Sequence, residues 1–267
     1  MAKTMKKHAA IILAIFAAIF LLAGCGSSEP AEKVYLEDSE VDAALSDGDS
    51  YKGKYINLVG KVFNVDKDGE TIALQVWYDV ENADRQFIVY ADNELAGSVK
   101  EEDFIKVDGK ITGTFTGENY FGGEIKALLV EAETLEVGGY DDIYAPAEST
   151  KEIGETQDQH GVSVTLEKVE YAKGEARVYV TVKNESGDTA SVYTYSAKAI
   201  QDGKQFEHQD NYEAGYDCDI GEVLDGASKE GIIRFKGLDP DKGFKLTMEA
   251  YSDNWDITLE DYAFEVE

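Results

Sequence analysis

Few side chains in this 267-residue sequence are placed to do covalent or acid–base chemistry. His160 and His208 have no neighbour at the spacing of a catalytic triad or a zinc site. Cys218 stands between two aspartates, whose negative charge disfavours a reactive thiolate. Because the sequence also lacks a glycine-rich phosphate loop and a nucleophile–base pair, it predicts a protein that is not an enzyme.

A group of carboxylates in the C-terminal half is the main candidate for a metal site. Its members are spaced along an acidic loop: Asp210, Glu213, Asp217, Asp219 and Glu222. Carboxylate oxygens suit Ca²⁺, and extracellular modules bind this ion weakly, with dissociation constants of about 10⁻⁴–10⁻³ M. The same pattern is typical of a solvated loop on an acidic protein. We favour the second interpretation, which implies no metal and no cofactor.

Aromatic residues near this loop are the candidates for a recognition surface. They are Tyr193, Tyr195, Tyr212, Tyr216 and Trp255. Tyrosines also commonly fill the exposed faces of β-sheets. The alternative is therefore a purely structural role.

The other cysteine, Cys25, follows a segment with the pattern of a signal peptide. Three lysines precede an apolar run over residues 9–22, and small residues follow the run. A membrane-spanning helix needs about 20 apolar residues, whereas a signal peptide has a basic start, a shorter apolar run and small residues at its cleavage site. The sequence therefore predicts a cleaved signal peptide over residues 1–24. An uncleaved anchor helix is the alternative.

The tetrad Leu22-Ala23-Gly24-Cys25 resembles the bacterial lipobox. The resemblance implies that a diacylglycerol is attached to the Cys25 sulfur and that the peptidase cuts before Cys25. The mature lipoprotein would then keep fatty-acyl chains, such as palmitate, as a stable membrane anchor. The implied location is the extracytoplasmic face of the bacterial cell membrane, with residues 25–34 as a tether.

Acylation of Cys25 would also determine whether Cys218 can form a disulfide. These are the two cysteines of the sequence. If Cys25 carries lipid, Cys218 has no partner, and we expect no disulfide. If Cys25 stayed free in a secreted chain, the two could form one bridge.

The charge of the chain limits its partners. The formal net charge is −29 at pH 7. Such a charge repels phosphate backbones and anionic membrane surfaces, so we expect no nucleic-acid partner. The hydrophobic content of 43% still suffices for a packed core.

Residues 35–137 have the pattern of a small β domain. A short helix at 40–45 opens it, and a helical or turn segment at 93–99 interrupts it. Ile56, Leu58 and Val62 share one face of the first strand, and Gly60 between them indicates a bulge or a sharp bend. The five predicted strands, which favour a small barrel, are 55–63, 71–78, 85–90, 104–116 and 125–137.

Three segments of this domain carry a resemblance to a family. Tyr51-Lys52-Gly53-Lys54, Gly60-Lys61-Val62 and Val107-Asp108-Gly109-Lys110-Ile111 resemble the bacterial tRNA-anticodon-like OB-fold family. The resemblance implies an OB-like barrel. OB-folds commonly bind oligonucleotides through basic grooves, but residues 33–136 hold 10 basic and 23 acidic residues. A peptide, glycan or protein partner is therefore favoured.

The second half of the chain predicts another β domain after a linker. Residues 138–160 have low apolar content and predict the linker. Val178, Val180 and Val182 alternate with polar or aromatic residues and are expected to face a core. Residues 161–267 then predict an antiparallel β-sandwich with strands at 162–171, 177–183, 189–200, 204–208, 228–235, 244–251 and 257–266.

Four segments of this half resemble the telokin-like, immunoglobulin-like domain of uncharacterised Gram-positive lipoproteins. They are Thr181-Val182-Lys183-Asn184, Ile200-Gln201-Asp202-Gly203-Lys204, Leu224-Asp225-Gly226-Ala227-Ser228 and Gly231-Ile232-Ile233-Arg234-Phe235. The turn Asp225-Gly226 departs from the family, which usually has Pro-Gly in one of these segments. The resemblance implies an immunoglobulin-like fold and no established activity.

The sequence as a whole predicts a mainly β protein. We expect an N-terminal OB-like five-stranded barrel plus a C-terminal immunoglobulin-like antiparallel β-sandwich, after a cleaved signal peptide. The predicted function is that of a lipid-anchored, non-enzymatic cell-surface lipoprotein that binds a protein, peptide or envelope component. The alternatives are a lipoprotein that binds a solute or Ca²⁺ and, less favoured, a hydrolase that uses dispersed carboxylates.

Overall fold

The computed structural model of the chain describes residues 32–118, 123–216 and 219–267. Strands make up most of the described residues, which confirms the predicted mainly β class. The helical elements are short: α1 (Val41–Ser46), α2 (Asn93–Ala96), 3-10 turns at Asp38–Glu40 and Gly48–Tyr51, and a π-helical turn at Tyr140–Tyr144.

The first five strands of the described chain close into a barrel in the order β1-β2-β3-β5-β4. They are β1 (Tyr55–Asp68), β2 (Thr71–Asp79), β3 (Asp84–Asp92), β4 (Phe104–Glu118) and β5 (Glu124–Gly138). β3 and β5 pair in parallel, whereas the other neighbours are antiparallel. β1 closes the barrel, because residues 55–61 pair with β4 and residues 61–68 pair with β2.

The barrel core follows the predicted alternation. Ile56, Leu58 and Val62 are all buried in it. Gly60 lies where the backbones approach closely, because a Cβ there would come within 2.7 Å of Val76 Cγ1 and would also meet the Trp77 carbonyl oxygen. The missing side chain lets β1 bend tightly over β2, next to an irregularity in their pairing.

The nine strands that follow in the described residues form two sheets. One sheet has the order β12-β8-β7-β6, and the other has the order β10-β9-β13-β14, with β11 also paired to β9. We call β6 to β14 the two-sheet module. Their bounds are β6 (Ala147–Gln159), β7 (Val162–Ala172), β8 (Glu175–Asn184), β9 (Ala190–Gln201), β10 (Lys204–Glu207), β11 (Gly221–Val223), β12 (Ser228–Phe235), β13 (Phe244–Ser252) and β14 (Tyr262–Val266).

Both sheets contribute to one core. Val178, Val180 and Val182 of β8 are buried, as their alternation predicts. They belong to the same cluster as Leu246 and Met248 of β13 in the other sheet. Burial of these aliphatic faces is the main stabilising contribution to the module.

The structure differs from the predicted linker over residues 138–160. The π-helical turn Tyr140–Tyr144 and strand β6 occupy most of this segment. β6 lies at the edge of its sheet and its residues are mostly exposed, so it does not need the apolar alternation that marks a strand in a sequence. β11 occurs where an acidic loop is predicted, and the last strand begins at Tyr262 instead of residue 257.

Two glutamines of β6 cover the open edge of β14. The Gln157 amide donates to the Ala263 carbonyl at 2.7 Å and accepts from the Ala263 N–H at 3.3 Å. The Gln159 amide donates to the Glu260 carbonyl at 2.9 Å and accepts from the Glu260 N–H at 2.8 Å. Because each side-chain amide has a donor and an acceptor, Gln157 satisfies edge groups of β14 at Ala263 and Gln159 satisfies those of Glu260, two residues before the strand.

The predicted signal peptide and Leu22-Ala23-Gly24-Cys25 lie outside the described residues. In the part of the chain that the structure describes, no helix has the length and apolar content needed to cross a membrane.

Candidate functional site

The barrel meets the two-sheet module at a junction rich in charged and aromatic side chains. Arg177 of β8 lies opposite Glu170 of β7 on one side and opposite Arg234 of β12 on the other. Arg177 alternates with the inward-facing Val178, so it lies on the outer face of its sheet. Its exposed fraction is nevertheless 0%, and that of Arg234 is 3%. Two guanidinium groups are therefore buried side by side, which requires carboxylates around them.

Two carboxylates and a backbone carbonyl group surround these arginines. Asp141, in the π-helical turn, contacts Arg177 Nη1 at 2.7 Å, and the Ala145 carbonyl accepts from Arg177 Nη2 at 3.0 Å. Glu175, itself buried, pairs with Arg234 Nε. These contacts compensate the desolvation of the two cations.

Two further sets of ion pairs connect the barrel to the two-sheet module. Glu81, in the turn between β2 and β3, accepts from both Arg234 and Lys236 of β12. Lys61 of β1 contacts Glu213, in the loop before β11, at 2.5 Å. The barrel and the two-sheet module thus each contribute both an acidic and a basic side chain to these pairs. Such complementary charges fix the register in which the two surfaces meet.

The protonation states at the junction follow from these contacts. Burial alone would raise the pKa of Glu81, but hydrogen bonds from Lys236 and Arg234 outweigh it and hold the pKa below its ordinary value of 4.5. Burial raises the pKa of the Tyr216 phenol well above its ordinary range, and the hydrogen bond to Asp141 adds to the rise. The carboxylate therefore stays charged and the phenol stays neutral near pH 7.

Aromatic rings fill the space between the ion pairs. Tyr140 packs edge-to-face on Phe104 of β4 at 5.5 Å and on Tyr216 at 5.9 Å. Tyr216 donates to Asp141 at 2.6 Å and accepts from Arg177 at 3.0 Å. Since these charges are paired and these phenols are engaged, the arrangement is suited to holding the modules together and not to proton transfer.

The opposite end of the two-sheet module is organised by one buried amide. Asn184, the last residue of β8, has an exposed fraction of 0%. Its Nδ2 donates to the carbonyls of Asp188 at 2.7 Å and Val223 at 2.8 Å, and its Oδ1 accepts from the Ser186 N–H at 3.0 Å. These bonds tie together the turns that follow β8 and β11. Asn184 lies seven positions along the extended strand from Arg177 at the junction, roughly 23 Å away.

Three loops meet at this end: residues 185–189, 224–227 and 253–261. We call them, together with Tyr251 at the adjoining end of β13, the loop end. The Gly187 N–H donates to Asp225 Oδ1 at 2.9 Å, and Asn254 Nδ2 donates to Asp188 Oδ2 at 2.7 Å. The Asp253 N–H donates to the Thr189 carbonyl at 2.9 Å. Each loop is therefore held by at least one of the others.

The loop end carries the most exposed large apolar side chain among those described. The exposed fraction of Trp255 is 93%, and those of Leu224 and Tyr251 are 59% and 46%. Beside Trp255 lies a small surface cavity of about 180 Å³, whose lining includes Tyr251, Ile257 and Leu259. Exposed aromatic residues next to an apolar cavity are typical of binding surfaces.

The loop end is also strongly acidic. Its residues include seven acids and no lysine or arginine. Among the described residues, no basic side chain forms an ion pair with Asp188, Asp225, Asp253 or Asp256. Glu185 pairs with Lys183 of β8 at 2.7 Å, so the negative potential of this surface comes from the other six acids.

Those of the predicted calcium ligands that the structure describes do not converge on one site. Asp210 contacts His208 Nε2 at 3.0 Å, and Glu213 pairs with Lys61 at the junction. Asp219 is exposed, Glu222 lies on β11, and Asp217 is outside the described residues together with Cys218. No group of three metal-ligating side chains occurs in the described ranges. The calcium hypothesis stays a prediction.

The five aromatic residues predicted to share a recognition surface occupy different places. Tyr193 and Tyr195 pack against each other at 5.6 Å on β9. Tyr212 is 88% exposed in the loop before β11, whereas Tyr216 lies at the junction. Trp255 alone of the five belongs to the loop end.

Comparison with known proteins adds little to this picture. No family model matches the chain, and no curated protein matches it. The chain is similar to the crystal structure of the yjhA protein from Bacillus subtilis, with 18% identity over 43% of this chain and 98% of that chain. At a TM-score of 0.35, this similarity assigns neither a fold nor a function. The class that the geometry defines is a mainly β protein in which a closed barrel joins a two-sheet module.

Sequence reasoning missed the junction. Arg177 stands at an outward position of its strand, where a charged residue is ordinarily solvated, so alternation alone gives no reason to bury it. The one feature of the sequence that points to the junction is a high density of charged residues near the strand ends, with Glu170, Glu175 and Arg177 within eight residues. That signal becomes informative only once the neighbouring chain is known to cover this face.

Proposed function

We propose that this chain is a lipid-anchored, non-enzymatic binding lipoprotein of the bacterial envelope. Acyl chains on Cys25 would hold it at the extracytoplasmic face of the cell membrane, and its described modules would present a surface to a protein, peptide or other envelope component. Support for the anchor comes from the basic start, the apolar run and the tetrad Leu22-Ala23-Gly24-Cys25.

We assign the barrel to an OB-like fold and the two-sheet module to an immunoglobulin-like sandwich as part of this proposal. The order β1-β2-β3-β5-β4 with a parallel β3–β5 pair supports the first. Two antiparallel sheets around one core support the second. Both folds serve binding in many proteins, and this argument is one of analogy.

The observation that carries the binding function is the contrast between the two polar regions. Charged groups at the junction are paired with each other, whereas the loop end leaves a tryptophan and several carboxylates exposed on loops that hydrogen bonds hold in place. A fixed surface with an exposed aromatic side chain loses little entropy on binding. A binding role therefore suits this surface better than catalysis does.

The anchor is tested by Cys25→Ala. We expect the variant to be released from membranes or to persist as an unprocessed precursor, because the thiol that accepts the lipid is gone. Fractionation of cells followed by mass measurement of the protein checks this. A variant that is still processed and still recovered with membranes would contradict lipid anchoring.

The binding function is tested in cells by chemical crosslinking of the anchored wild-type protein and mass spectrometry of what it captures. We expect the same envelope partner to be recovered in independent repeats. A matched sample of the Cys25→Ala protein released from membranes, which has the same modules without the lipid, shows whether capture depends on location. Absence of any reproducible partner for the wild type would count against the proposal.

A further inference from the structure

The loop end has the composition of a surface that attracts cations. Trp255 offers an exposed indole face, with Asp256 next to it in sequence and Asp253 two residues before it. Lysine ammonium and arginine guanidinium groups bind to the faces of aromatic rings, best to tryptophan. The carboxylates of the three loops add a long-range attraction for the same groups.

The spread of these carboxylates distinguishes a cationic chain from a metal ion. A calcium site needs six to eight oxygens converging on one point, and within the described ranges no three ligating side chains converge. The acids belong instead to three separate loops that hydrogen bonds hold together. A ligand with several separated positive charges matches this arrangement.

The charge also argues against a second copy of this chain as the occupant. Two copies meeting through the loop end would bring together six acids from each side that have no basic partner, since only Glu185 of the seven pairs with a lysine. Like charges at an interface disfavour association. Nucleic acid and anionic lipid are disfavoured for the same reason.

The loops are organised before any ligand arrives. Asn184 is fully buried, and its bonds to Asp188 and Val223 hold two of the three loops, while Asn254 attaches the third to Asp188. A cavity of about 180 Å³ beside Trp255 is lined by apolar and polar groups. It can take the aliphatic part of a side chain, such as the stem of lysine or arginine, while the charged end stays near carboxylates.

We propose that the loop end is the docking surface for a basic segment, rich in lysine or arginine, of an envelope protein partner. This inference rests on the proposed binding function and names the chemistry of its partner. Trp255 contributes the contact with the largest expected effect, and the surrounding acids contribute attraction that weakens as salt rises.

A binding titration tests the chemistry. The full chain in neutral detergent is titrated into a fluorescently labelled decapeptide of alternating lysine and glycine, and anisotropy is recorded at low and high salt. We expect Trp255→Ala to weaken binding about tenfold or more. The double variant Asp253→Asn/Asp256→Asn should weaken binding about threefold or more and reduce its salt dependence.

Matched variants elsewhere provide the controls. Tyr212→Ala removes another highly exposed aromatic side chain outside the loop end. Asp68→Asn/Glu70→Gln removes two exposed acids at the β1–β2 turn and changes the net charge by the same amount. We expect both controls to bind the peptide as the wild type does.

Three results would overturn the inference. The first is no binding of the peptide by the wild type at about 1 mM, the range of very weak complexes. The second is binding that Trp255→Ala leaves unchanged or that Asp68→Asn/Glu70→Gln weakens equally. The third is capture of a neutral oligosaccharide, lost in Trp255→Ala, without binding of the basic peptide. That result would assign the surface to glycans.

A site-specific crosslink separates this inference from the proposed function. A photoreactive phenylalanine analogue is placed at Tyr251 in the loop end or at Tyr90 on the barrel, both in anchored protein. Capture of a lysine- or arginine-rich partner segment from Tyr251 supports the inference. Capture from Tyr90 alone refutes the docking surface and leaves the proposed binding function in place. Absence of capture from either position and by general crosslinking counts against the docking surface and the binding function alike.

Discussion

The junction and the loop end use the same kinds of residues in opposite ways. At the junction, tyrosines are packed on one another and acids contact arginine or lysine. At the loop end, Trp255 is 93% exposed and the acids have no basic residue within their loops. Composition therefore does not distinguish a structural polar cluster from a surface suited to a ligand.

What distinguishes the two regions is whether the charge is compensated within the chain. A buried, compensated charge is costly to disturb, since removing one partner leaves the other desolvated. An exposed, uncompensated charge contributes little to stability, because water already solvates it. Substitutions should thus lower the free energy of unfolding at the junction and leave it nearly unchanged at the loop end.

The largest expected effect follows from Arg177→Ala. This change removes a fully buried side chain and the cation that Asp141 and Glu170 share, although Glu170 keeps its pair with Lys168. We expect the free energy of unfolding to fall by about 3 kcal/mol or more. Urea unfolding followed by circular dichroism measures the loss. The control is Lys183→Ala on the same strand, whose ion pair with Glu185 is exposed and should change stability by about 1 kcal/mol or less. Equal losses in the two variants would contradict the contrast.

A smaller, pH-dependent effect is expected from Glu81→Gln. The pKa of Glu81 is lowered from 4.5 in the folded protein, so the charged form contributes stability above the unfolded-state pKa. That contribution is lost as the pH falls through the folded-state pKa. We expect the variant to be about 1–2 kcal/mol less stable than the wild type at neutral pH. The difference should shrink below about pH 4.5.

Unfolding curves of both proteins, taken across this pH range, measure the difference. Glu70→Gln, an exposed acid in the β1–β2 turn, serves as the control and should stay within about 0.5 kcal/mol of the wild type throughout. A Glu81→Gln difference that grew in acid would show that the ion pairs with Arg234 and Lys236 do not stabilise the folded state.

The smallest effect on stability is expected at the loop end. Trp255→Ala should change the free energy of unfolding by no more than about 0.5 kcal/mol, because the side chain is 93% exposed. Tyr140→Ala removes a buried ring of the junction and should cost about 3 kcal/mol or more. Thermal and urea unfolding of the two variants can be compared directly. A large loss in Trp255→Ala would show that this residue packs in the folded protein.

Strand alternation made much of the fold predictable. The five barrel strands and Val178, Val180 and Val182 carry the period-two pattern that burial on one face imposes. Edge strand β6 was not predicted, because it needs no apolar face. Its threonine, glutamate and glutamine residues therefore show no apolar alternation. β11 escaped it because a strand of three residues is too short to show a period.

The candidate site was harder to predict than the fold. Trp255 could be singled out from the sequence, but its neighbours depend on how three loops meet, and that meeting depends on Asn184, an ordinary polar residue until it is seen buried. Tyr216 could not be separated from Tyr212 by sequence, although one lies at the junction and the other is 88% exposed. Such differences arise from tertiary contacts, which local patterns do not encode.

If the chain is anchored by lipid as proposed, the glutamines beside β14 have a consequence at the membrane. Proteins anchored by lipid share a two-dimensional surface, where copies meet far more often than in bulk solution and in restricted orientations. An uncovered strand under those conditions would add to the strand of an adjacent copy and start a growing array. Gln157 and Gln159 occupy backbone groups of Ala263 and Glu260 that such addition would use. On an anchored protein they would thereby raise the surface density at which separate copies can coexist.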